Sequence, residues 1–192
     1  MKGLPRLYAI TDRRKYGPDF IKTLESILKH GIKMIQLREK DLHGKELYEL
    51  ASTVRQLTKS YGAMLFINSR PDVAVAVGAD GVHLPENDVP PRAIKELFPE
   101  LLVGRSTHSP ESARKAQEEG ADFVVFGPVF KTASHPTTKP AGLGALKKTC
   151  RDINIPVFAL GGVTWEKAKA CYKNGAYGIA GITMFIKWKQ EN

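Results

Sequence analysis

The sequence predicts an α/β fold, a compact (β/α)8 TIM barrel that occupies residues 1–192 as a single domain. Three observations carry this prediction. A unit in which a helix-like stretch ends in glycine and a short apolar run follows recurs at Gly31-Ile32-Lys33-Met34-Ile35, Gly78-Ala79-Asp80-Gly81-Val82, Gly120-Ala121-Asp122-Phe123-Val124 and Gly175-Ala176-Tyr177-Gly178-Ile179. These glycines stand 47, 42 and 55 residues apart, and further strand-like runs fall between them, so each interval spans two βα units. Polar, glycine-rich and cationic segments follow the strands, whereas the segments that enter them are bland, as in a fold that works at the carboxyl ends of its strands. An open doubly wound sheet is the alternative arrangement of the same units.

Taken in order, Leu7-Tyr8-Ala9-Ile10 is the first strand and Ile32 to Ile35 the second. Met64 to Ile67, Gly81-Val82, Leu101 to Val103 and Phe123-Val124 are the third to sixth, Ile155 to Leu160 the seventh and Gly178-Ile179 the eighth. All are short and apolar, as strands covered on both faces must be. The glycine before the second, fourth, sixth and eighth takes the left-handed conformation that stops a helix. Eight units give 24 residues each, well below the usual barrel of about 250 residues. The helical stretches, such as Glu111 to Glu119, alternate lysine and arginine with glutamate and read as solvated faces.

Composition bounds the partners. Hydrophobic residues make up 42% and charged residues 26%, which is ordinary for a globular chain, and no apolar run approaches the roughly 18 residues that cross a bilayer. The N-terminus runs into the first strand without a long apolar stretch, and a cytoplasmic protein without membrane association is expected. The net charge of +9 fits nucleic acid, an acidic surface or small anionic substrates. With no helix-turn-helix or aromatic stacking platform, no nucleic-acid partner is expected. Cys150 and Cys171 fall in helix-like segments without a CxxC partner and read as structural thiols.

The strand ends carry the chemistry. Gln36, Arg38 and Lys40 alternate along the second strand and would share one face at the barrel mouth, where two cations and an amide suit a phosphate or pyrophosphate. An ion-pair ladder with Glu39 and Asp41 is the competing explanation. Gly161-Gly162 leads into the helix from Trp165, and Thr183 opens the next one after the last strand. The loops after the seventh and eighth strands of barrels commonly hold phosphate on backbone N–H groups. The long loop from Gly127 to Pro140 carries hydroxyls, Lys131, His135 and Lys139, a set suited to closing over an anion. Asp88 sits beyond the fourth strand, placed either to hold Mg²⁺ with substrate phosphates or to cap the helix behind Pro90 and Pro91.

The motifs Gln36-Leu37-Arg38-Glu39-Lys40, Asn68-Ser69-Arg70, Gly81-Val82-His83-Leu84 with Asp88, Ser106-Thr107-His108, Gly127-Pro128-Val129-Phe130 with Thr132, and Gly161-Gly162 stand in one order along nearly the whole chain. In this the sequence resembles the thiamine-phosphate synthases and their relatives of the TenI type. The resemblance implies that small phosphorylated substrates, a hydroxymethylpyrimidine pyrophosphate and a thiazole phosphate, are joined in the barrel with Mg²⁺ and release of pyrophosphate. It implies that Gln36, Arg38, Lys40, Asn68 and Ser106 hold the pyrimidine pyrophosphate, with Arg38 and Lys40 clamping the leaving group. It further implies that Thr132, Ser134, Gly162, Ile182 and Thr183 face the thiazole phosphate and that Asp88 binds Mg²⁺.

Two positions depart from the synthase pattern. Ser69 replaces a metal-binding aspartate, and His135 stands where a pyrophosphate-binding lysine is expected, with Lys139 four residues on as a substitute cation. The TenI relatives are linked to tautomerising a thiazole phosphate carboxylate, and the histidine they use falls at Pro128 here. That alternative activity would rest on His135 or His108. The last segment, Phe185 to Asn192, is shorter than the usual final helix of the family and leaves room for a homodimer.

Overall fold

The computed structural model describes residues 3–132 and 137–186. Eight parallel strands close into a barrel in sequence order, β1 (Leu7–Ile10), β2 (Met34–Leu37), β3 (Met64–Asn68), β4 (Gly81–Leu84), β5 (Leu102–Thr107), β6 (Phe123–Phe126), β7 (Val157–Ala159) and β8 (Gly178–Gly181), with β8 pairing β1. The open sheet is thereby excluded. The helices between them are α1 (Arg13–Tyr16), α2 (Phe20–Lys29), α3 (Gly44–Ser60), α4 (Pro71–Val77), α5 (Pro91–Leu97), α6 (Pro110–Glu118), α7 (Gly142–Asp152), α8 (Trp165–Lys173) and α9 (Thr183–Ile186).

Local chemistry accounts for the helices. In α3, Leu47, Ala51, Val54 and Thr58 recur at helical spacing and are buried, with Leu50 and Leu57 partly buried beside them, while Lys45, Glu46, Glu49 and Lys59 are exposed. A reciprocal cap between Ser109 and Ser112 starts α6, with Pro110 in the first turn where its missing N–H costs nothing. Thr164 caps α8 by accepting from the Lys167 amide. Gly31, Gly78, Gly120 and Gly175 all take positive φ at the junctions the sequence marks. None of the described helices is long and apolar enough to cross a membrane.

Glycines explain how so short a chain fills a barrel. Inside it, Tyr8, Phe66, Phe123 and Phe158 pack edge to face with ring centroids 5.3–5.8 Å apart, contacts worth about 0.5–1.5 kcal/mol each beyond the area they bury. Phe66 lies over Gly81, Phe123 over Gly104 and Phe158 over Gly178. A Cβ on these glycines would stand 2.5, 2.3 and 2.5 Å from the respective rings. A large residue from one strand thus fills the space a neighbouring strand leaves empty.

The second strand departs from the expectation. It stops at Leu37, so Arg38 and Lys40 lie beyond it, Lys40 in a turn. The cause is Thr11, whose Oγ1 accepts the Arg38 N–H at 3.0 Å and so intercepts the amide that would have continued the ladder. The seventh strand is also shorter than Ile155 to Leu160. Cys150 and Cys171 are free thiols on α7 and α8, and burial raises both above the usual thiol range.

Candidate active site

The mouth at the carboxyl ends of the strands has two unlike halves. Across β2 to β5 the residues in register with the interior are polar: Gln36, Asn68, His83 and Ser106. Across β6 to β1 they are Val125, Leu160, Ile182 and Ile10, which pack on the aromatic core.

The polar half begins below the mouth. The Gln36 amide donates to the Tyr8 hydroxyl at 3.1 Å, and both are fully buried. Burial pushes the Tyr8 phenol far above its usual range, so it stays neutral. Above them His83 Nε2 lies 2.9 Å from Ser106 Oγ, and Ser106 is half-buried. Asn68 donates to Ser69 Oγ, and Ser69 holds φ 57, a left-handed conformation uncommon outside glycine and concentrated at functional sites.

Arg38 and Lys40 rise from this half, and a separate network supports them. Thr11 Oγ1 donates to Glu39 Oε1 at 2.6 Å, while the Arg13 amide and Nε reach Glu39 Oε2 at 3.1 and 3.3 Å and the Arg13 guanidinium holds Asp41 at 3.0 Å. The two carboxylates are therefore engaged with Arg13 rather than with Arg38 or Lys40. Arg38 and Lys40 have no carboxylate partner among the described residues. The Arg38 charge, followed by partial burial, lowers the Lys40 pKa. Two neighbouring cations thus repel each other without a carboxylate partner among the described residues, and the ladder with Glu39 and Asp41 is not what forms.

Asp88 lies in the loop between β4 and α5, where its carboxylate accepts the Val89 amide at 2.8 Å. It does not cap α5, whose N-cap is Pro90 without a side-chain bond. The loop is held by Arg105, a buried guanidinium that donates to the carbonyls of Val89, Glu86 and Asp88 at 2.6–2.9 Å. Among the described residues no group of three or more His, Cys, Asp or Glu converges as a metal cage. Asp88 instead suits an ion that brings most of its own oxygen ligands, as Mg²⁺ on a pyrophosphate does.

The other half offers backbone. Val129 N bonds Leu160 O and Phe130 N bonds Gly161 O, which lays the segment after β6 along the turn after β7. This close approach needs glycine: at Gly162, with φ 63, a Cβ would lie 2.3 Å from the Lys131 carbonyl. The Lys167 ammonium stands over the Phe130 ring at 5.1 Å beside this turn. Ile182 and Thr183 follow at the start of α9, Thr183 exposed, and Thr132 and the exposed Lys139 flank the long loop. Ser134 and His135 lie outside the described residues. His108 Nδ1 donates to the Gly127 carbonyl, and its Nε2 stands 3.9 Å from Glu86.

Of the other residues brought together, Tyr8 and Thr11 fall outside the strand-end pattern, and Glu39, His83 and Arg105, which stand in it, had no ligand-binding role there. Parity was the available signal for two of them. Tyr8, with Ile10, and His83, with Gly81, occupy the inward positions of their strands, and a polar side chain there is exceptional.

Comparison with known proteins places this geometry. The family model described as "Thiamine monophosphate synthase" matches residues 7–185. A protein of Aquifex aeolicus called "Putative thiamine-phosphate synthase 2" is 62% identical over 184 residues, covering 96% of this chain and 99% of its own. A "Putative thiamine-phosphate synthase" of Geobacter sulfurreducens is 44% identical, over 94% of this chain and 86% of its own. Among solved structures, the thiamine phosphate pyrophosphorylase of Pyrococcus furiosus superposes with a TM-score of 0.86 at 38% identity, over 96% of this chain and 88% of that one. With a family model spanning the barrel and relatives this similar along nearly their full lengths, the chain belongs to the thiamine monophosphate synthase family.

Proposed function

We propose that this enzyme joins hydroxymethylpyrimidine pyrophosphate to thiazole phosphate, giving thiamine phosphate and pyrophosphate. One observation carries the reading: Arg38 and Lys40 stand together at the mouth without a carboxylate partner among the described residues, over neutral Gln36, His83 and Ser106. In this chemistry the bond from the pyrimidine methylene to the pyrophosphate oxygen breaks, its electrons leave with the pyrophosphate, and the thiazole nitrogen supplies the pair for the new bond. No side chain has to remove a proton to start it. The protein's task is to stabilise the charge that grows on the leaving group, and preorganised cations do this best where water is scarce.

Arg38 and Lys40 take that role in the proposal, and Ser106 and Asn68 add hydrogen bonds. Asp88 would hold Mg²⁺ against the pyrophosphate, where the ion neutralises charge. The glycine turn at Gly161-Gly162 with Ile182 and Thr183 would receive the thiazole phosphate on backbone N–H groups, and Val125, Leu160 and Ile182 supply an apolar wall for a flat ring. Thr132 and Lys139 would add a hydroxyl and a cation beside this anion.

The test is a condensation assay with both substrates and Mg²⁺, following thiamine phosphate, beside a parallel incubation with the thiazole phosphate carboxylate alone. Formation of thiamine phosphate with release of one pyrophosphate per turnover is expected. Tautomer conversion without condensation would overturn the proposal and move the chemistry to a histidine.

A further inference from the structure

We propose that His83 is a positioning residue that donates from Nε2 to Ser106 Oγ and so turns the Ser106 hydroxyl into a hydrogen-bond donor aimed at the leaving pyrophosphate. The inference rests on the pyrophosphate reading above and adds a residue that acts through another.

The geometry admits two arrangements of one proton. His83 is 2% exposed, and its ring lies among Tyr8 and Phe123, with centroids 5.9 and 6.0 Å away. Nε2 faces Ser106 Oγ at 2.9 Å. Nδ1 is buried with no hydrogen-bond partner among the described residues, and it packs so closely on Gly104 that a Cβ there would stand 2.8 Å away. Burial, with Arg38 and Arg105 adding positive charge nearby, pushes the imidazole pKa down to about 3. The ring is therefore neutral at working pH and carries a single N–H.

If that hydrogen sits on Nδ1, a buried N–H is orphaned, a rarer and costlier state than an unsatisfied acceptor. Ser106 would then spend its own hydrogen on Nε2 and present only lone pairs to an arriving anion. If the hydrogen sits on Nε2, Nδ1 keeps a bare lone pair in an apolar niche, and the Ser106 hydrogen is released. Ser106 is only half-buried, so its free direction is the mouth, where Arg38 and Lys40 collect negative charge. Both the protein's own hydrogen-bond accounting and the polarity of the substrate select the second arrangement. Gly104 belongs to the device, since it makes room for the Phe123 ring and the His83 ring at once.

Nitrogen-15 spectroscopy of the wild-type imidazole tests the proton directly. The Nε2–H tautomer, unchanged between pH 5 and 8, is expected, and an Nδ1–H tautomer or a titration in that range overturns the proposal. Calorimetry with inorganic pyrophosphate tests the consequence. His83→Leu should weaken binding about 10- to 100-fold, the scale of a hydrogen bond to a charged group, and His83→Gln, which keeps an amide donor, should recover most of it. In a Ser106→Ala background, His83→Leu should add no more than about 2-fold, because the partner through which it acts is gone. An equal penalty in both backgrounds would make His83 a packing residue and end the proposal. If His83→Leu does not fold, the wild-type spectrum decides alone. If folded wild-type protein binds no pyrophosphate, the pyrophosphate reading fails and this inference fails with it.

Discussion

The two halves of the barrel mouth present different groups to an incoming ligand. From β2 to β5 these are side chains, with Arg38, Lys40, Asn68 and Ser106 above a buried polar layer of Gln36, Tyr8 and His83. From β6 to β8 they are backbone, with glycines that let one loop lie on the next and an apolar wall beneath. The difference follows from what each half would hold. A leaving group gains charge during the reaction and rewards charged side chains whose hold tightens as the bond breaks. A phosphate that does not react needs only a fixed seat, and backbone N–H groups supply one without long side chains to immobilise.

The largest expected effect breaks the side-chain half. Arg38→Ala and Lys40→Ala should each lower kcat for condensation by about 10²-fold or more, the usual cost of removing a group that stabilises transition-state charge. Thermal unfolding should change little, because neither residue is fully buried or paired to a carboxylate in the described structure. Steady-state kinetics beside a melting curve checks both expectations.

Gly162→Ala breaks the backbone half. The new Cβ would meet the Lys131 carbonyl in a left-handed conformation, at a strain of order 1–3 kcal/mol, and the displaced turn should raise KM for thiazole phosphate by about tenfold. Calorimetry with pyrophosphate should give the wild-type affinity.

Much of this contrast was legible in the sequence, and the reasons are local. Gly31, Gly78, Gly120 and Gly175 announce the junctions because helix ends demand positive φ there. Arg38 and Lys40 stand out because cations after a buried strand have few destinations. The support beneath them was not legible. Thr11 meets Glu39 across 28 positions and His83 meets Ser106 across 23, so only closure of the barrel brings them together. The same closure decided that Glu39 and Asp41 pair with Arg13 rather than with Arg38 and Lys40, and that the second strand ends where Thr11 takes the Arg38 amide.

A smaller effect sharpens the metal side of the polar half. Ser69 already holds φ 57, a conformation that aspartate tolerates well. Ser69→Asp should therefore fold normally and reduce the Mg²⁺ concentration needed for half-maximal rate several-fold, whereas Asp88→Asn should raise it. Titration of condensation rate against Mg²⁺, with chelator as the zero point, reads both.

The smallest effect is a shift in pH dependence. Because Arg38 is the main cause of the lowered Lys40 pKa, Lys40 loses its charge at a lower pH than an isolated lysine does. The alkaline limb of kcat/KM should accordingly fall below pH 10.5 and move upward in Arg38→Gln, with the residual activity high enough to trace its shape. An unmoved limb would mean that Lys40 does not set it.

The division of labour between the halves is tested most directly by measuring KM for both substrates in Lys40→Ala and in Gly162→Ala. The account predicts a crossed result: Lys40→Ala raises KM for the pyrophosphate substrate and leaves that for thiazole phosphate near wild type, and Gly162→Ala does the reverse. Parallel changes in both constants in both variants would contradict it.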